Sequence, residues 1–260
     1  MEQSRLTKKE RHQLILSEVR RSASIRISRL ATRLGVAGET IRRDLIELGD
    51  AGLLNRTYGG ATISLVTSEP VIAERRQTMI EERARIGRGA AGLIANGQIV
   101  MIDGGSTTYE VARSLSQMRR DLTVITNSIG VASVTGANPS FRVILCPGTY
   151  DSREASVLGE DTVAFVRRYN ADMAVIGASS LSVDGPSDMI PGSVAVKRAM
   201  IARALSTALV VTNDKFGRNS LERVCGLDDL SSIVTDREPQ PALRAVIEKA
   251  GPKLHIFSGD

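Results

Sequence analysis

Cysteine and histidine are scarce in this chain of 260 residues, at two each. Cys146 and Cys225 are too few for a disulfide framework, and no paired CxxC spacing offers a structural metal site. A reducing interior, the cytoplasm, is the expected setting. His12 and His255 are the only imidazoles, so a multi-histidine metal centre and a repertoire of histidine acid–base catalysis are both excluded, and neither metal nor cofactor is expected. No apolar run approaches the roughly 18 residues of a membrane span, and the opening stretch MEQSRLTKKE is charged, unlike a signal peptide.

What is present is a chain with 42% apolar residues, long enough for one small and one ordinary domain. Its formal charge of +5 is unevenly placed. Residues 1–66 carry 12 Lys and Arg against 7 Asp and Glu, whereas the remainder carries 22 of each. The net positive charge therefore sits in the first quarter, where it suits a polyanion held through phosphate contacts.

That quarter reads as three helices and a hairpin. Thr7 and Glu10 have capping-box spacing, and Leu14, Ile15 and Val19 follow at helical intervals. The segment ISRLATRLGV places Leu30, Ala31 and Leu34 on one face and ends at Gly35, the residue that most easily closes a helix in the left-handed conformation. A third helix, AGETIRRDLIELGDAG, aligns Ile41, Leu45 and Leu48 inward. Two short helices around a tight glycine turn make a helix-turn-helix, whose second member enters the major groove.

At about 100° per residue, the face opposite Ile41, Leu45 and Leu48 presents Glu39 and Arg43, flanked by Thr40 and Arg42, with Gly38 at the helix start. Arginine grips guanine O6 and N7 through two parallel hydrogen bonds. Beyond the helix, GLLNRTYGGA reads as a hairpin or wing, with Gly59 and Gly60 permitting a tight turn and Arg56 and Tyr58 placed for phosphate or minor-groove contact.

The run TIRRDLIELGDAGLLNRTYGGA, with the helix ahead of it, resembles the winged helix-turn-helix head of the DeoR family of repressors; TIRRDL followed by GLLxR and GGA carries the likeness. Ala37 stands where that family usually opens its recognition helix with serine, and Tyr58 where it often has histidine, so the operator preferred here is expected to differ from that of relatives.

Residues 63–73 read as a linker between a head at 1–62 and a second domain at 74–260, with a charged helix over about 72–94. Apolar runs then alternate with helical stretches. QIVMID, LTVITN, FRVILC, MAVIGAS, ALVVTN, SSIVTD and KLHIF are the strand candidates, and their continuous apolarity predicts an α/β fold with a mainly parallel sheet covered on both faces. Ligands of such sheets bind beyond the carboxyl ends of the strands. There the first strand runs into Asp103, Gly104, Gly105, Ser106, Thr107 and Thr108, whose glycines, hydroxyls and helix N-terminus suit a phosphate. Asn127 and Gly148 close later strands, and Lys215 offers a counter-charge.

The second domain is also similar to the sensor domain of the DeoR family, itself similar in fold to ribose-5-phosphate isomerase. The resemblance implies that Asp103 to Thr108, Asn127 and Lys215 line a pocket for a phosphorylated sugar or polyol. Pro147, Ser179 and Pro186 depart from common choices where specificity is set. The reading is thus a repressor, not an enzyme, that binds double-stranded operator DNA as a homo-oligomer of at least two heads and lets go when the effector binds. The competing reading is a sugar-phosphate isomerase or transferase with a DNA-binding appendage, Asp103 acting as base and Lys215 as electrophile. It lacks a second carboxylate or histidine at a strand end.

Overall fold

Thr7 and Glu10 cap the first helix reciprocally: the Thr7 backbone N–H donates to Glu10 Oε2 at 2.9 Å, and the Glu10 N–H donates to Thr7 Oγ1 at 3.3 Å. The computed structural model describes residues 6–21, 24–50, 55–57, 60–62 and 70–259. The chain divides into two units, residues 1–69 and 70–260.

In the first unit, helix α1 (Lys8–Arg21) is followed by strand β1 (Ser24–Arg26) and helices α2 (Ile27–Leu34) and α3 (Gly38–Asp50). Gly35 ends α2 at φ 65°, ψ 32°, a conformation that costs a side-chain-bearing residue energy and glycine little. Ile15, Ile25, Leu30, Ile41, Leu45 and Leu48 form the core. Leu14, one of the apolar residues read at helical intervals, is 39% exposed, because α1 turns Ile15 and Glu18 to the interior, where Glu18 meets Arg33. Strands β2 (Asn55–Thr57) and β3 (Gly60–Thr62) pair as the expected hairpin, and β1 adds a third strand beside β3.

The second unit opens with α4 (Ile72–Arg75) and α5 (Ile80–Gly92), two helices where the sequence reads as one over 72–94. Met79 adopts φ 49° and ψ 42° between them, and the buried Arg83 donates to the carbonyls of Arg75 and Thr78, filling the break with hydrogen bonds that a continuous helix would make internally.

Then come β4 (Ile99–Ile102), α6 (Ser106–Met118), β5 (Thr123–Thr126), α7 (Ile129–Gly136) and β6 (Arg142–Leu145). A hairpin of β7 (Thr149–Asp151) and β8 (Ser156–Leu158) leads to α8 (Glu160–Val166) and β9 (Ala171–Ile176). Short strands β10 (Ser180–Ser182) and β11 (Gly185–Asp188) precede α9 (Pro191–Ile201) and β12 (Ala204–Val210). The chain finishes with β13 (Glu222–Arg223), β14 (Ser232–Thr235), α10 (Pro241–Ala250) and β15 (Lys253–Ile256).

Seven strands form one parallel sheet in the order β15-β14-β12-β9-β4-β5-β6. They are the seven apolar runs read from the sequence. Alternate residues of β4 enter opposite cores: Val100 and Ile102 pack with α5 and α6, while Met101 packs with Val196 and Met200 of α9. Burial on both faces explains why the inner strands lack polar alternation, while the edge strands β6 and β15 are partly exposed. Strands β10, β11 and β13 make a separate small antiparallel sheet. Among the described residues, no helix is long and apolar enough to cross a membrane. Cys146 and Cys225 are free and buried, and burial pushes both thiols up to about 12, which keeps them protonated and inert.

Candidate functional site

The head presents a charged helix face on a rigid frame. Ile41, Leu45 and Leu48 anchor α3 inward, so the opposite face is forced outward: the Arg43 side chain is 78% exposed and that of Arg42 61%. Glu39 lies between them, 2.8 Å from Arg42 Nη1 and 3.9 Å from Arg43 Nε. This carboxylate pairs with both guanidiniums on the exposed face and partly neutralises them. Gly38 and Thr40 share the same first turns. Arg56 lies on β2, and Tyr58 falls outside the described residues.

What fixes the angle of α3 is a residue the sequence pattern did not single out. Asp44, 3% exposed, receives Arg11 Nε at 2.5 Å and Arg11 Nη2 at 2.9 Å, a two-pronged pair, and lies 3.1 Å from His12 Nε2. Burial opposes its charge, but the hydrogen bonds from Arg11 and His12 outweigh that cost and hold the carboxyl below its ordinary range. Arg11 and His12 both belong to α1, so the recognition helix is bolted to the first helix through a buried charge.

In the second unit the chain order along the sheet reverses between β4 and β9. At such a switch point the loops diverge to opposite faces and leave a crevice beyond the carboxyl ends. Asp103, fully buried at the end of β4, spans it: the Gly177 N–H beyond β9 donates to its Oδ2 at 3.4 Å. Gly104 and Gly105 follow, and Ser106, Thr107 and Thr108 make the first turn of α6, which has no side-chain cap. The pairing of Ile102 with Thr126 brings Asn127, 1% exposed, alongside. A Cβ on Gly104 would lie 2.2 Å from Ser156 Oγ and 3.2 Å from Ser156 Cβ, so Ser156 of β8 packs directly against the loop where position 104 has no side chain.

The cation beside Asp103 is Lys197, on α9. It is 2% exposed and reaches Asp103 Oδ2 at 2.8 Å, Asp188 Oδ2 at 3.0 Å and Ser193 Oγ at 2.6 Å. Burial disfavours the ammonium, yet the two carboxylates more than compensate and raise its pKa. Burial pushes the Asp103 carboxyl up in spite of Lys197, and Asp188 adds to the rise. One lysine thus serves two carboxylates. Its signal was legible: Val194, Lys197 and Met200 fall at three-residue spacing, a lysine set in the apolar stripe of a helix.

Two acceptors at this site have no partner among the described residues. Asp103 Oδ1 and Asn127 Oδ1 are buried without a hydrogen bond, although Asn127 Nδ2 donates to the Val157 carbonyl at 3.1 Å. Unsatisfied buried acceptors cost free energy, and a ligand rich in hydroxyl donors satisfies both. Gly148 and Lys215 are placed differently. Gly148 is exposed in the β6–β7 turn at φ 145°, against Thr162 and Leu158, and Lys215 ends the single 3-10 turn Asn213–Lys215 beyond β12. Among the described residues no group of three or more His, Cys, Asp and Glu side chains is arranged to hold a metal ion.

Comparison with known proteins agrees with this division. A family profile for a DeoR-like helix-turn-helix domain matches residues 11–65, and one for the DeoR C-terminal sensor domain matches residues 78–237. The glycerol-3-phosphate regulon repressor of Escherichia coli is 31% identical over 239 residues, covering 92% of this chain and 94% of that protein. The transcriptional repressor AccR of Agrobacterium fabrum is 32% identical over 250 residues, covering 95% and 96%. The repressor GlcR of Bacillus subtilis is 30% identical over 252 residues, covering 96% and 97%. Among solved structures, the eIF2B-beta2-delta2 complex from C. thermophilum superposes with a TM-score of 0.50 at 14% identity, over 93% of this chain and 88% of that one, a likeness of fold. A D-ribose-5-phosphate isomerase covers 53% of this chain and 54% of its own at 15% identity, with a TM-score of 0.39.

Proposed function

The chain belongs to the DeoR family, and on that premise we propose that it is a sequence-specific repressor of a sugar or polyol catabolic operon that releases its operator when a phosphorylated sugar or polyol fills the cleft at Asp103 and Asn127. The relatives named above are repressors, one of them of a glycerol-3-phosphate regulon, and they match along nearly their whole length. The observation that carries the ligand reading is the pair of buried, unsatisfied acceptors beside an uncapped helix N-terminus.

In this reading Arg42 and Arg43 read base edges in the major groove while Gly38, Glu39 and Thr40 set the approach of the helix start, and Arg56 and Tyr58 of the wing hold the phosphate backbone. Asp103 and Asn127 accept sugar hydroxyls, and the amides and hydroxyls of Gly104 to Thr108 receive the rest of the ligand. Gly148 and Lys215 belong to the rim. Residues 63–73 are the linker. Two half-sites about one helical turn apart require at least two heads, so the working unit is a homo-oligomer, and the cytoplasm is its compartment.

Effector release needs only that the ligand prefer the form with low operator affinity, a coupling of typically 1–3 kcal/mol. Calorimetry of the full chain with phosphorylated sugars and polyols tests the ligand half of the proposal: one member of the set binds in the wild type and fails to bind in Asp103→Asn. If every member is silent, or if Asp103→Asn binds as the wild type does, the cleft has been misassigned.

A further inference from the structure

Arg76 caps the C-terminus of α4, and its guanidinium lies where a cation has no visible reason to be. Its Cζ sits 4.0 Å from the centre of the Tyr109 ring, in the first turn of α6. A Cβ on Gly130, in the first turn of α7, would lie 2.2 Å from Arg76 Nη2, so the guanidinium packs directly against the start of α7. Arg76 Nε is buried without a hydrogen-bond partner, and no ion pair joins Arg76 to a carboxylate among the described residues.

The electrostatics of this arrangement are unfavourable as they stand. Each helix N-terminus carries roughly half a positive charge, and a full positive charge has been added to the first turns of two of them. Cation–π stacking on Tyr109 fixes the guanidinium but does not neutralise it. An anion bound there removes the repulsion and satisfies the free N–H groups.

The other pole of the cleft has the opposite character. Asp103 Oδ1 and Asn127 Oδ1, each on a residue at least 99% buried, are acceptors without donors, one immediately before the Gly104–Gly105 turn into α6 and the other immediately before the α7 N-cap Ser128. Acceptors repel a phosphate and bind hydroxyls. The cleft is therefore bipolar, with hydroxyl acceptors at the strand ends and donors at the helix starts.

We propose that Arg76 is the phosphate-binding cation of the effector cleft, so that the ligand is a phosphate monoester of a polyhydroxylated carbon chain, with its ester at Arg76 and its hydroxyls at Asp103 and Asn127. This rests on the effector reading above and sharpens it. Arginine suits the role better than the expected Lys215, because its planar fork engages two phosphate oxygens at once and stacking has already fixed its orientation. Arg76 also closes α4, the first helix of the second unit, so the ligand grips that element.

The test is calorimetry of the full chain with three pairs of probes: sn-glycerol 3-phosphate and glycerol, fructose 6-phosphate and fructose, glucose 6-phosphate and glucose. For the ester that binds, Arg76→Gln is expected to lose about tenfold or more in affinity, the usual worth of a charge-assisted hydrogen bond, and Arg76→Lys to recover part of it. The unphosphorylated partner binds both proteins equally weakly. Arg76→Gln binding the ester within about twofold of wild type overturns the assignment while leaving the effector reading intact. A wild type that binds none of the three esters overturns the effector reading itself. Should Arg76→Gln fail to fold, Tyr109→Leu takes its place: it frees the guanidinium without removing it, and an unchanged preference for ester over free sugar counts against the proposal.

Discussion

Lys197→Met is the most demanding perturbation of the buried triad. The wild-type cluster holds one ammonium and two carboxylates, all less than a tenth exposed. Removing the ammonium leaves Asp103 and Asp188 facing each other without a counter-ion, and breaking a buried pair in this way typically costs about 3–5 kcal/mol. In a unit of this size each kcal/mol moves the melting temperature by about 2–4 °C, so a fall of about 6–20 °C is expected. Asp103→Asn is the control: it is nearly isosteric, and it leaves Lys197 still paired with Asp188, so its melting temperature stays within a few degrees of wild type. The sign of the pH dependence is also fixed. The Asp103 carboxyl is raised in the folded protein, so the folded state binds more protons than the unfolded one; its stabilising contribution is present in acid and is lost as pH rises through the folded value. Without Lys197 the rise is larger, and the gap between Lys197→Met and wild type narrows as pH falls from about 8 to about 5. Differential scanning fluorimetry without ligand reads all three. Lys197→Met melting within about 2 °C of wild type at neutral pH, or a gap that widens in acid, refutes an ionised buried triad.

Other perturbations separate the head from the cleft. Arg43→Ala should lose about 1–3 kcal/mol of preference for operator over random duplex, read by fluorescence anisotropy, and equal discrimination by the variant sinks the groove assignment. Asp44→Ala leaves the partly buried Arg11 without its partner and should destabilise the head by up to about 3 kcal/mol, seen as operator binding lost at a lower temperature. The Asp44 carboxyl is lowered in the folded state, so its contribution is present above the ordinary carboxylate value and is lost as pH falls through the folded one; operator binding by wild type should weaken below about pH 4, and a binding profile flat into stronger acid contradicts this. Gly104→Ala displaces the Ser156 hydroxyl and crowds the loop against β8, and should weaken effector binding, while adding Ser156→Gly restores it; failure of the second change to rescue would locate the clash elsewhere.

The residues that sequence reading found and those it missed differ in physical kind. The parallel strands were legible because the inner ones, β4, β5, β9, β12 and β14, are covered on both faces over most of their length, which makes them largely apolar runs. Strands such as Gly185–Asp188 and Ser180–Ser182 were not, because their residues have low strand preference and their pairing is fixed by neighbours distant in sequence. The break at Met79 carried no glycine or proline to announce it. In the head, the capping box and the Gly35 turn are local and were readable, whereas the inward position of Glu18, a buried carboxylate matched by Arg33, was not, because the apolar pattern assigns such positions to hydrophobes. The Asp103 loop announced itself as a glycine-rich strand end. Lys197 and Arg76, on helices far along the chain in either direction, became part of that cleft only through the tertiary fold.

The central claim is that one polypeptide grips a particular DNA sequence and loosens it when its cleft takes up a phosphorylated sugar. Anisotropy titration of the full chain measures it directly, using a duplex that the protein itself selects from random sequence, a scrambled duplex, and the same phosphorylated probes. Binding to the selected duplex is expected to be about 10³-fold or more tighter than to the scrambled one, weakened about 5–150-fold by one of the esters and untouched by its free sugar. Equal affinity for both duplexes, or a selected complex that no ester disturbs, contradicts it.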